Sequence, residues 1–468
     1  MFFLLIIVVS VEAQPITWQR SYKTYGPVGF EGIYSSVQTP DNGFISVGNT
    51  RPNGGGSGSV MMALRVNQFG DTIWLKYYDK FSVAKNIIKT HDNNYLIVDN
   101  YSFLVKIDIN GDTIWTRKPN LPNYTTIRTY SVKLTSDNGF IVCAESRAAF
   151  VPYIFKTDSQ GILQWQKEYE LIGFGRASDA LEFNNNFIVC GYLLQSSSQN
   201  LYLMNIDSIG NIIWHKIYGS ISGVPYSIIK SGDCIVIGGT GNPKNLQGIS
   251  AFLTKTDLSG NLIWFKTYDP GNPYYGNCRQ LILSNDNSYV FAGSASPDSI
   301  EVFNTAARII KTDTSGNVVF KKLYTLKNGN PTGEFILKTS DNGFMLGGNL
   351  FEGLYNIHLI KTDSLGYAPP VKIRQISTII PNEFILHQNY PNPFNSSTII
   401  SFTTPIKSIF SVNIYDITGK LVENLLNQEF EIGTYEILYY PNNLSSGIYF
   451  YNLNSSEFNI SKKFLLIK

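Results

Sequence analysis

The residues best suited to acid–base or metal chemistry are few and widely spaced. The chain of 468 residues contains four histidines, which are His91, His215, His358 and His387. No two of them stand at the short spacing of a metal site, and none accompanies a recognisable nucleophile motif. The sequence therefore predicts no catalytic residue, no metal site and no cofactor.

Aspartates in a recurring turn segment are the next candidates, here for calcium. Asp41, Asp137 and Asp341 begin Asp-Asn-Gly, and Asp92 begins Asp-Asn-Asn. A calcium loop surrounds the ion with alternating carboxylates and a distal Glu, and these segments have neither. We interpret them as hairpin turns in which both Asn and Gly take positive φ.

Paired carboxylates would indicate an enzyme that cleaves polysaccharides. The acidic residues considered for this role are scattered along the chain: Glu31, Glu170, Asp179 and Asp269. A non-catalytic binding or structural protein is therefore the first hypothesis. A secreted polysaccharide-active hydrolase or lyase remains the alternative, since repeat folds can draw carboxylates from several units.

All these residues are positioned by an internal repeat. A ten-residue segment recurs seven times, and Lys255–Trp264 (KTDLSGNLIW) is its clearest copy. Its glycines are spaced by 41, 50, 49, 50, 56 and 50 residues, and a polar turn followed by an apolar strand lies between successive copies. Each unit holds about four short strands without a helical period, which predicts an all-β, seven-bladed β-propeller.

The seventh copy, around Gly366, lacks its aromatic strand, and a matching strand around Trp18 stands at the N-terminus. We expect the N-terminal strand to complete the last blade and close the ring, because closure leaves no frayed sheet edge. One repeat position carries every tryptophan and one phenylalanine, and we expect it to dock neighbouring blades: Trp18, Trp74, Trp115, Trp165, Trp214, Trp264 and Phe320.

The segment Asp-x-x-Gly-x-x-x-Trp resembles the tryptophan-docking motif of quinoprotein-like propellers, although it is one residue shorter between Asp and Gly. The pairs Gly238-Gly239 and Gly347-Gly348 are similar to those of kelch blades. The resemblance implies that the Trp packs between blades and that the Asp side chain holds the turn. The cysteine pair and acidic cluster of a quinone-dependent enzyme are missing, so no cofactor follows.

The irregular loops of the repeat are expected on one face of the propeller. Functional residues on a rigid scaffold concentrate in variable loops. The candidate binding face consists of aromatic and cationic residues in these loops: Tyr124, Phe174, Arg176, Tyr274, Tyr275 and Arg279. These side chains could instead pack only their own loops.

The N-terminus predicts export. Residues 2–10 are apolar but too short to span a bilayer, and residues 1–13 are typical of a cleaved signal peptide. A buried first strand is the alternative. The net charge of +2 offers no field for nucleic acid, and no transmembrane segment is expected in the mature chain. The four cysteines are interpreted as buried thiols rather than disulfides.

After residues 14–367, which form the predicted propeller, residues 368–383 are proline-rich and predict a linker. Residues 384–468 resemble the type A C-terminal sorting domain of the bacterial type IX secretion system, through the motifs QNYPNPFN at 388–395, VNIYDITGK at 412–420 and KKFLLIK at 462–468. The alternating strands predict a β-sandwich. The resemblance implies export through the periplasm to the cell surface or medium, with the secretion machinery as a partner. A glycan or a surface protein is the expected ligand of the propeller.

Overall fold

Antiparallel β-strands form the whole fold in the part of the chain that the computed structural model describes. That part comprises residues 17–23, 32–51, 59–119, 127–170, 173–195, 198–241, 249–268, 276–296, 305–326, 329–352, 355–368, 372–377, 381–395, 398–439, 441 and 444–467. The predicted signal peptide lies outside it. Contacts divide the chain into residues 20–360 and a second unit, residues 361–468 with the N-terminal segment up to Gln19.

The repeat region contains strands β1 to β28, which are Trp18–Tyr22, Gly32–Gln38, Phe44–Thr50, Val60–Val66, Thr72–Tyr78, Ala84–Lys89, Tyr95–Asp99, Leu104–Ile107, Thr113–Arg117, Ile127–Leu134, Phe140–Ser146, Val151–Thr157, Leu163–Glu168, Gly175–Phe183, Asn186–Gln195, Ser198–Ile206, Ile212–Ser231, Cys234–Gly241, Ser250–Asp257, Leu262–Tyr268, Gln280–Leu283, Tyr289–Ala295, Ala306–Thr312, Val318–Tyr324, Asn330–Pro331, Phe335–Lys338, Phe344–Phe351 and Tyr355–Thr362.

These strands form seven antiparallel blades. Blades 1, 2, 3 and 6 are separate four-stranded sheets in chain order, β2–β5, β6–β9, β10–β13 and β21–β24. Blades 4 and 5 share β17, which pairs with β16 through its first part and with β18 from Gly223 onward, because a short link joins the two blades. Blade 7 has the strand order β1-β28-β27-β25, and β26 also pairs with β27. The N-terminal strand β1 is therefore the outer strand of this blade. This pairing confirms closure by the N-terminal strand.

The inner strands close into a ring. Within residues 20–360, β2 contacts β6, β6 contacts β10, and the series continues through β14, β17, β21 and β26 back to β2. Hydrogen bonds join the last blade to the first: the Gln38 side chain donates to Ser340 Oγ at 3.2 Å and accepts from the Ser340 amide at 3.0 Å. Seven blades around one axis are therefore a complete β-propeller.

The hydrophobic core lies between blades. The second strand of each blade is covered on both faces, and β3, β7 and β22 are buried along their whole length. Ile45, Val47 and Ala63 of blade 1 pack with Ile87 and Ile97 of blade 2 in one such cluster. Burying an aliphatic side chain of this size stabilises a fold by roughly 1.5–3 kcal/mol. The blades therefore depend on their neighbours for stability.

The Asp-Asn-Gly turns differ from the sequence prediction. Asn42 and Asn138 take positive φ, at 62° and 66°, but Gly43 and Gly139 do not. The expectation of positive φ at both residues is thus wrong. The glycines serve close approach instead, since a Cβ on Gly139 would lie 2.2 Å from the carbonyl oxygen of Thr157.

The aspartate of this turn also neutralises a buried cation on the third strand. Lys106 Nζ lies 2.6 Å from Asp92 Oδ2, and the Lys106 side chain is only 7% exposed. Arg65 and Asp41 form the matching pair in blade 1 at 2.8 Å. A buried ammonium or guanidinium group without a counterion would be costly, so these turn aspartates are part of the scaffold.

The C-terminal segment is a sandwich of two antiparallel sheets. Its strands β29 to β36 are Lys372–Ser377, Ile385–Leu386, Thr398–Thr404, Ser408–Tyr415, Leu421–Phe430, Gly433–Tyr439, Gly447–Asn454 and Asn459–Leu466. One sheet has the order β29-β34-β31-β30 and the other β33-β32-β35-β36. Phe402, Phe410 and Phe464 belong to the buried cluster between them. Strand β29 falls within residues 368–383, where the sequence predicts a linker.

All four cysteines are free thiols, and Cys143, Cys190 and Cys278 are buried. Burial raises the pKa of Cys143 and of Cys278 above the usual thiol value. Such thiols are poorly ionised and behave as small apolar side chains.

Candidate binding site

The predicted docking residues lie against the turn of the next blade. Gly111 and Gly260 both have positive φ, and a Cβ on either would lie 2.9 Å from the indole of Trp74 or Trp214, respectively. Trp165 Nε1 donates to the Ser208 carbonyl at 2.8 Å. In the turn itself, the carboxylate of Asp257, for example, accepts hydrogen bonds from two backbone amides. The interface therefore requires glycine, because a side chain would displace the indole ring.

Two more repeat positions reinforce each interface. The tyrosine four residues after Trp214, Tyr218, donates to the carbonyl of Gly260 at 2.7 Å. Lys216, two residues after the same Trp, donates to Asn261 Oδ1 at 2.6 Å. Tyr78, Tyr169 and Tyr268 bond the equivalent glycines in other blades.

The N-terminal strand repeats these contacts although it comes from the other end of the chain. Tyr22 donates to the Gly70 carbonyl at 2.6 Å, and Arg20 lies 2.6 Å from Asp71. Trp18 is only 5% exposed. Phe320 is half-buried at the position that holds Trp in the other blades.

A second set of equivalent positions lies on the inner strands. Each inner strand contains a β-bulge, in which two residues oppose one residue of the second strand; Arg279 and Gln280, for example, both oppose Ala292. Each blade contributes one such extra residue, and we call the seven together the bulge ring: Tyr34, Lys85, Tyr130, Ser178, Tyr226, Arg279 and Glu334. Bulges redirect side chains and are frequent beside functional sites.

Glycines on the second strand make room for the bulges. A Cβ on Gly48 would lie 1.7 Å from the carbonyl oxygen of Gly32, and one on Gly293 would lie 1.9 Å from that of Asn277. Gly239 and Gly348 meet inner-strand carbonyls in the same way. The Gly-Gly pairs that resemble kelch blades therefore reflect close approach of two strands.

Side chains of the bulge ring converge from several blades. The guanidinium of Arg176, two residues before Ser178, lies 4.0 Å from the ring centroid of Tyr130 and 5.4 Å from that of Tyr226. Arg279 lies 4.8 Å from the same Tyr226 ring. Blades 3, 4, 5 and 6 thus contribute to one aromatic and cationic cluster, in which stacking holds the guanidinium planes.

Blades 1, 2 and 7 complete the cluster. Lys85 Nζ lies 5.0 Å from the Tyr34 ring centroid, and Glu334 Oε2 lies 3.4 Å from Arg279 Nε. Burial raises the pKa of Glu334, and Arg279 opposes that shift. Burial, reinforced by Arg128, lowers the pKa of Lys85 to about 8, with Arg279 and Arg176 acting in the same direction. Such shifts occur where like charges are crowded away from water.

The residues predicted for the binding face are divided by the structure. Arg176 and Arg279 lie in the cluster. Phe174 does not, since it is 60% exposed and lines an open depression with Phe150 and Glu170. The other three candidates lie outside the described residues: Tyr124, Tyr274 and Tyr275.

Sequence reasoning missed every residue of the bulge ring except Arg279: Tyr34, Lys85, Tyr130, Ser178, Tyr226 and Glu334. It also missed Arg128 and Tyr192, which lie beside the ring. A usable signal existed. One position of the second strand holds Gly48 in blade 1 and Gly293 in blade 6, and in every blade the bulge residue stands thirteen or fourteen positions before the residue at this position. Nothing in the inner-strand sequences themselves marks the bulge.

Two of the residues considered for chemistry, Asp179 and His358, are buried within the fold. Asp179 is 2% exposed, and its carboxylate lies 3.1 Å from Lys133 Nζ. His358 is buried, which lowers its pKa to about 4. Glu31 and Asp269 lie outside the described residues. Among the residues that the structure describes, no group of three His, Cys, Asp or Glu side chains could hold a metal ion.

The C-terminal sequence matches a known family. Residues 388–468 match the secretion system C-terminal sorting domain. A sequence search of curated proteins finds no match. Within the described residues, no helix has the length and apolar character needed to cross a membrane.

Solved structures similar to this chain include several with low identity. A protein of unknown function from Bacteroides caccae is 14% identical, with 59% of this chain and 93% of that chain covered and a TM-score of 0.41. PorZ, a type IX secretion component of Porphyromonas gingivalis, is 12% identical, with 91% and 58% covered and a TM-score of 0.43. The WD40 propeller domain of Doa1 is 11% identical, with 73% and 96% covered and a TM-score of 0.47.

The strand pairing and the family match together identify the two parts of the chain. Seven blades closed by β1 form the repeat region, and the sorting signal occupies the C-terminal sandwich. Export to the cell surface or secretion follows from that signal. The chain is therefore a seven-bladed β-propeller protein that carries, at residues 388–468, a C-terminal sorting domain of the type IX secretion system.

Proposed function

We propose that this protein is a non-catalytic binding protein that holds its ligand at the bulge ring after export. The proposal rests on one observation: seven equivalent inner-strand positions carry five different residue types and bring tyrosine, cationic and acidic side chains together. Binding sites are usually concave, with aromatic side chains and a few oriented polar groups. The sorting domain engages the secretion machinery, and residues 1–13 serve as the signal peptide.

The chemistry of the cluster favours binding over hydrolysis. Glu334 is 15% exposed beside Arg279, and Tyr130 donates to Glu145 Oε2 at 2.7 Å. Both carboxylates are thus engaged by groups of the ring. A glycosidase needs one carboxylic acid and one carboxylate available on either side of the scissile bond, whereas Glu334 and Glu145 are each engaged by a neighbouring side chain of the cluster.

The test is a combined glycan-binding and polysaccharide-degradation screen with the full chain, with and without added calcium. We expect retention of at least one glycan class without new reducing ends. The site is tested with the double variant Arg176→Gln, Arg279→Gln. This variant should lose glycan binding while its melting temperature stays within a few degrees of that of the unsubstituted protein. New reducing ends would instead support the polysaccharide-active enzyme, and binding that survives the double variant would refute the site.

A further inference from the structure

The bulge ring carries a surplus of positive charge in a half-buried setting. Lys85 and Arg279 of the ring and the neighbouring Arg176 are half-buried, and the exposed Arg128 lies beside them. All three arginines act electrostatically on Lys85. Glu334 faces Arg279, and Glu145 accepts a hydrogen bond from Tyr130. Two of the four positive charges therefore have no carboxylate to balance them among the described residues. The chain as a whole carries only +2, so this local surplus is a distinct feature.

Arg176 is held ready to donate hydrogen bonds. Its guanidinium is stacked 4.0 Å from the Tyr130 centroid and 5.3 Å from the Tyr192 centroid. Its Nε donates to Ser178 Oγ at 3.3 Å. Its Nη2 is buried and has no hydrogen-bond partner within the described part of the chain. Because leaving a buried donor unsatisfied is costly, an acceptor oxygen is expected at this position.

Crowding of the cations points to an anionic acceptor. Burial and the three arginines depress the pKa of Lys85 to about 8, which means that its charged form is disfavoured there. An anion placed among Lys85, Arg176 and Arg279 would relieve the repulsion between them. A carboxylate matches the forked donors of arginine better than a neutral hydroxyl does.

The tyrosines favour a sugar as the carrier of the carboxylate. Tyr34, Tyr130 and Tyr226 occupy alternating positions around blades 1 to 5 and are all half-buried. Such rings offer an apolar face together with a hydroxyl that donates and accepts, which suits a sugar ring that carries both C–H faces and hydroxyl groups. We infer that the bulge ring binds a uronate-bearing oligosaccharide, with Arg176 and Arg279 holding the carboxylate. This inference rests on the proposed binding function.

The experiment measures binding of the full chain to oligogalacturonate by titration calorimetry at pH 7. Methyl-esterified oligogalacturonate is the matched neutral probe, and polyglutamate tests whether any carboxylate polymer suffices. We expect the acid form to bind at least tenfold more tightly than the ester and than polyglutamate, and we expect the difference to shrink in high salt. Arg176→Gln should lower the affinity for oligogalacturonate at least tenfold. Arg176→Lys should bind more tightly than Arg176→Gln but less tightly than the unsubstituted protein.

The control variant is Lys216→Gln, which removes one charge from a docking interface and should leave the affinity unchanged. Equal binding of acid and ester that depends on Arg176 would overturn the uronate inference while preserving the binding function. Preferential binding of polyglutamate would assign the site to acidic peptides. Failure to bind oligogalacturonate at all would overturn the inference, and the glycan screen then decides the binding function separately. Melting temperatures of both Arg176 variants show whether the fold is intact.

Discussion

The interfaces between blades and the bulge ring are both built from seven equivalent positions, yet they use residues in opposite ways. The docking position is Trp in six blades and Phe in one, whereas the bulge ring carries Tyr, Lys, Ser, Arg and Glu. Each docking side chain must cover the same glycine turn of its neighbour, so its shape is fixed. Bulge-ring residues contact neighbouring blades through varied pairs, such as Arg279 with Tyr226 and with Glu334, so no single shape is imposed on the position and its residue type is free to follow a ligand.

The largest effect is expected from removing the strand that closes the ring. Deletion of residues 15–26 takes β1 from blade 7 and leaves β28 as an unpaired edge, which promotes aggregation. We expect a large oligomeric fraction by light scattering and a lower melting temperature. The control is Tyr22→Phe, which removes only the hydrogen bond to Gly70 and should remain monomeric. A deletion variant that stays soluble with an unchanged melting transition would refute closure.

Substitution of a docking glycine tests the uniform interface alone. Gly260→Ala places a Cβ 2.9 Å from the Trp214 indole at a φ of +76°, and we expect a loss of about 2–3 kcal/mol in the free energy of unfolding. Gly232→Ala is the matched control, because Gly232 also has positive φ, +58°, but nothing within 4 Å of a Cβ. It should cost about 1 kcal/mol. Chemical denaturation measures both, and equal losses would contradict the packing role.

The bulge ring should instead respond in binding, with a pH signature. The pKa of Lys85 is lowered to about 8, so its positive charge is present below that pH and lost above it. Lys85→Gln should weaken oligogalacturonate binding about three- to tenfold at pH 6.5 and have little effect at pH 9.5. The other charged groups that act on Lys85 are Arg128, Arg176, Arg279 and the Glu334 carboxylate. A variant effect that persists at pH 9.5 would exclude Lys85 titration as its cause.

A small effect is expected from the turn aspartates. Burial alone would raise the pKa of Asp92, but hydrogen bonds from Lys106 and Thr90 outweigh it and lower that pKa below 3.8. A carboxyl group whose pKa is lower in the folded state than in the unfolded state stabilises the fold at a pH above the unfolded-state pKa. This stabilisation is lost as the pH falls through the folded-state pKa. Because Asp92 is 52% exposed, water and the amide oxygen of the new Asn can still accept from the Lys106 ammonium. Asp92→Asn should therefore cost only about 1 kcal/mol in the free energy of unfolding at pH 7, and the difference from the unsubstituted protein should narrow below pH 3.8. A constant difference down to pH 2 would contradict the ion pair.

Local patterns made most of the scaffold predictable. The Asp-x-x-Gly turn and the Trp strand depend on contacts within a few residues or at the fixed repeat length, so each copy reports the same structure. The strand missing after Gly366 and the surplus strand at Trp18 were enough to predict closure. The sorting domain was predictable because its motifs lie within one continuous segment.

The candidate site was predicted only in part, for a physical reason. Arg176 and Arg279 were selected because they lie near irregular loops, whereas Lys85 and Glu334 lie in or beside regular strands and no irregular loop marks them. A bulge depends on how two strands pair, and the pairing partner stands thirteen or fourteen residues away.

The sequence by itself determined the number of blades, the docking residues and the export signal, because each is written as a repeated or continuous motif. Only the tertiary structure decided which side chains share the axis. Seven residues spread from Tyr34 to Glu334 meet there because ring closure brings their inner strands together. No local pattern encodes that convergence, since it depends on the whole ring.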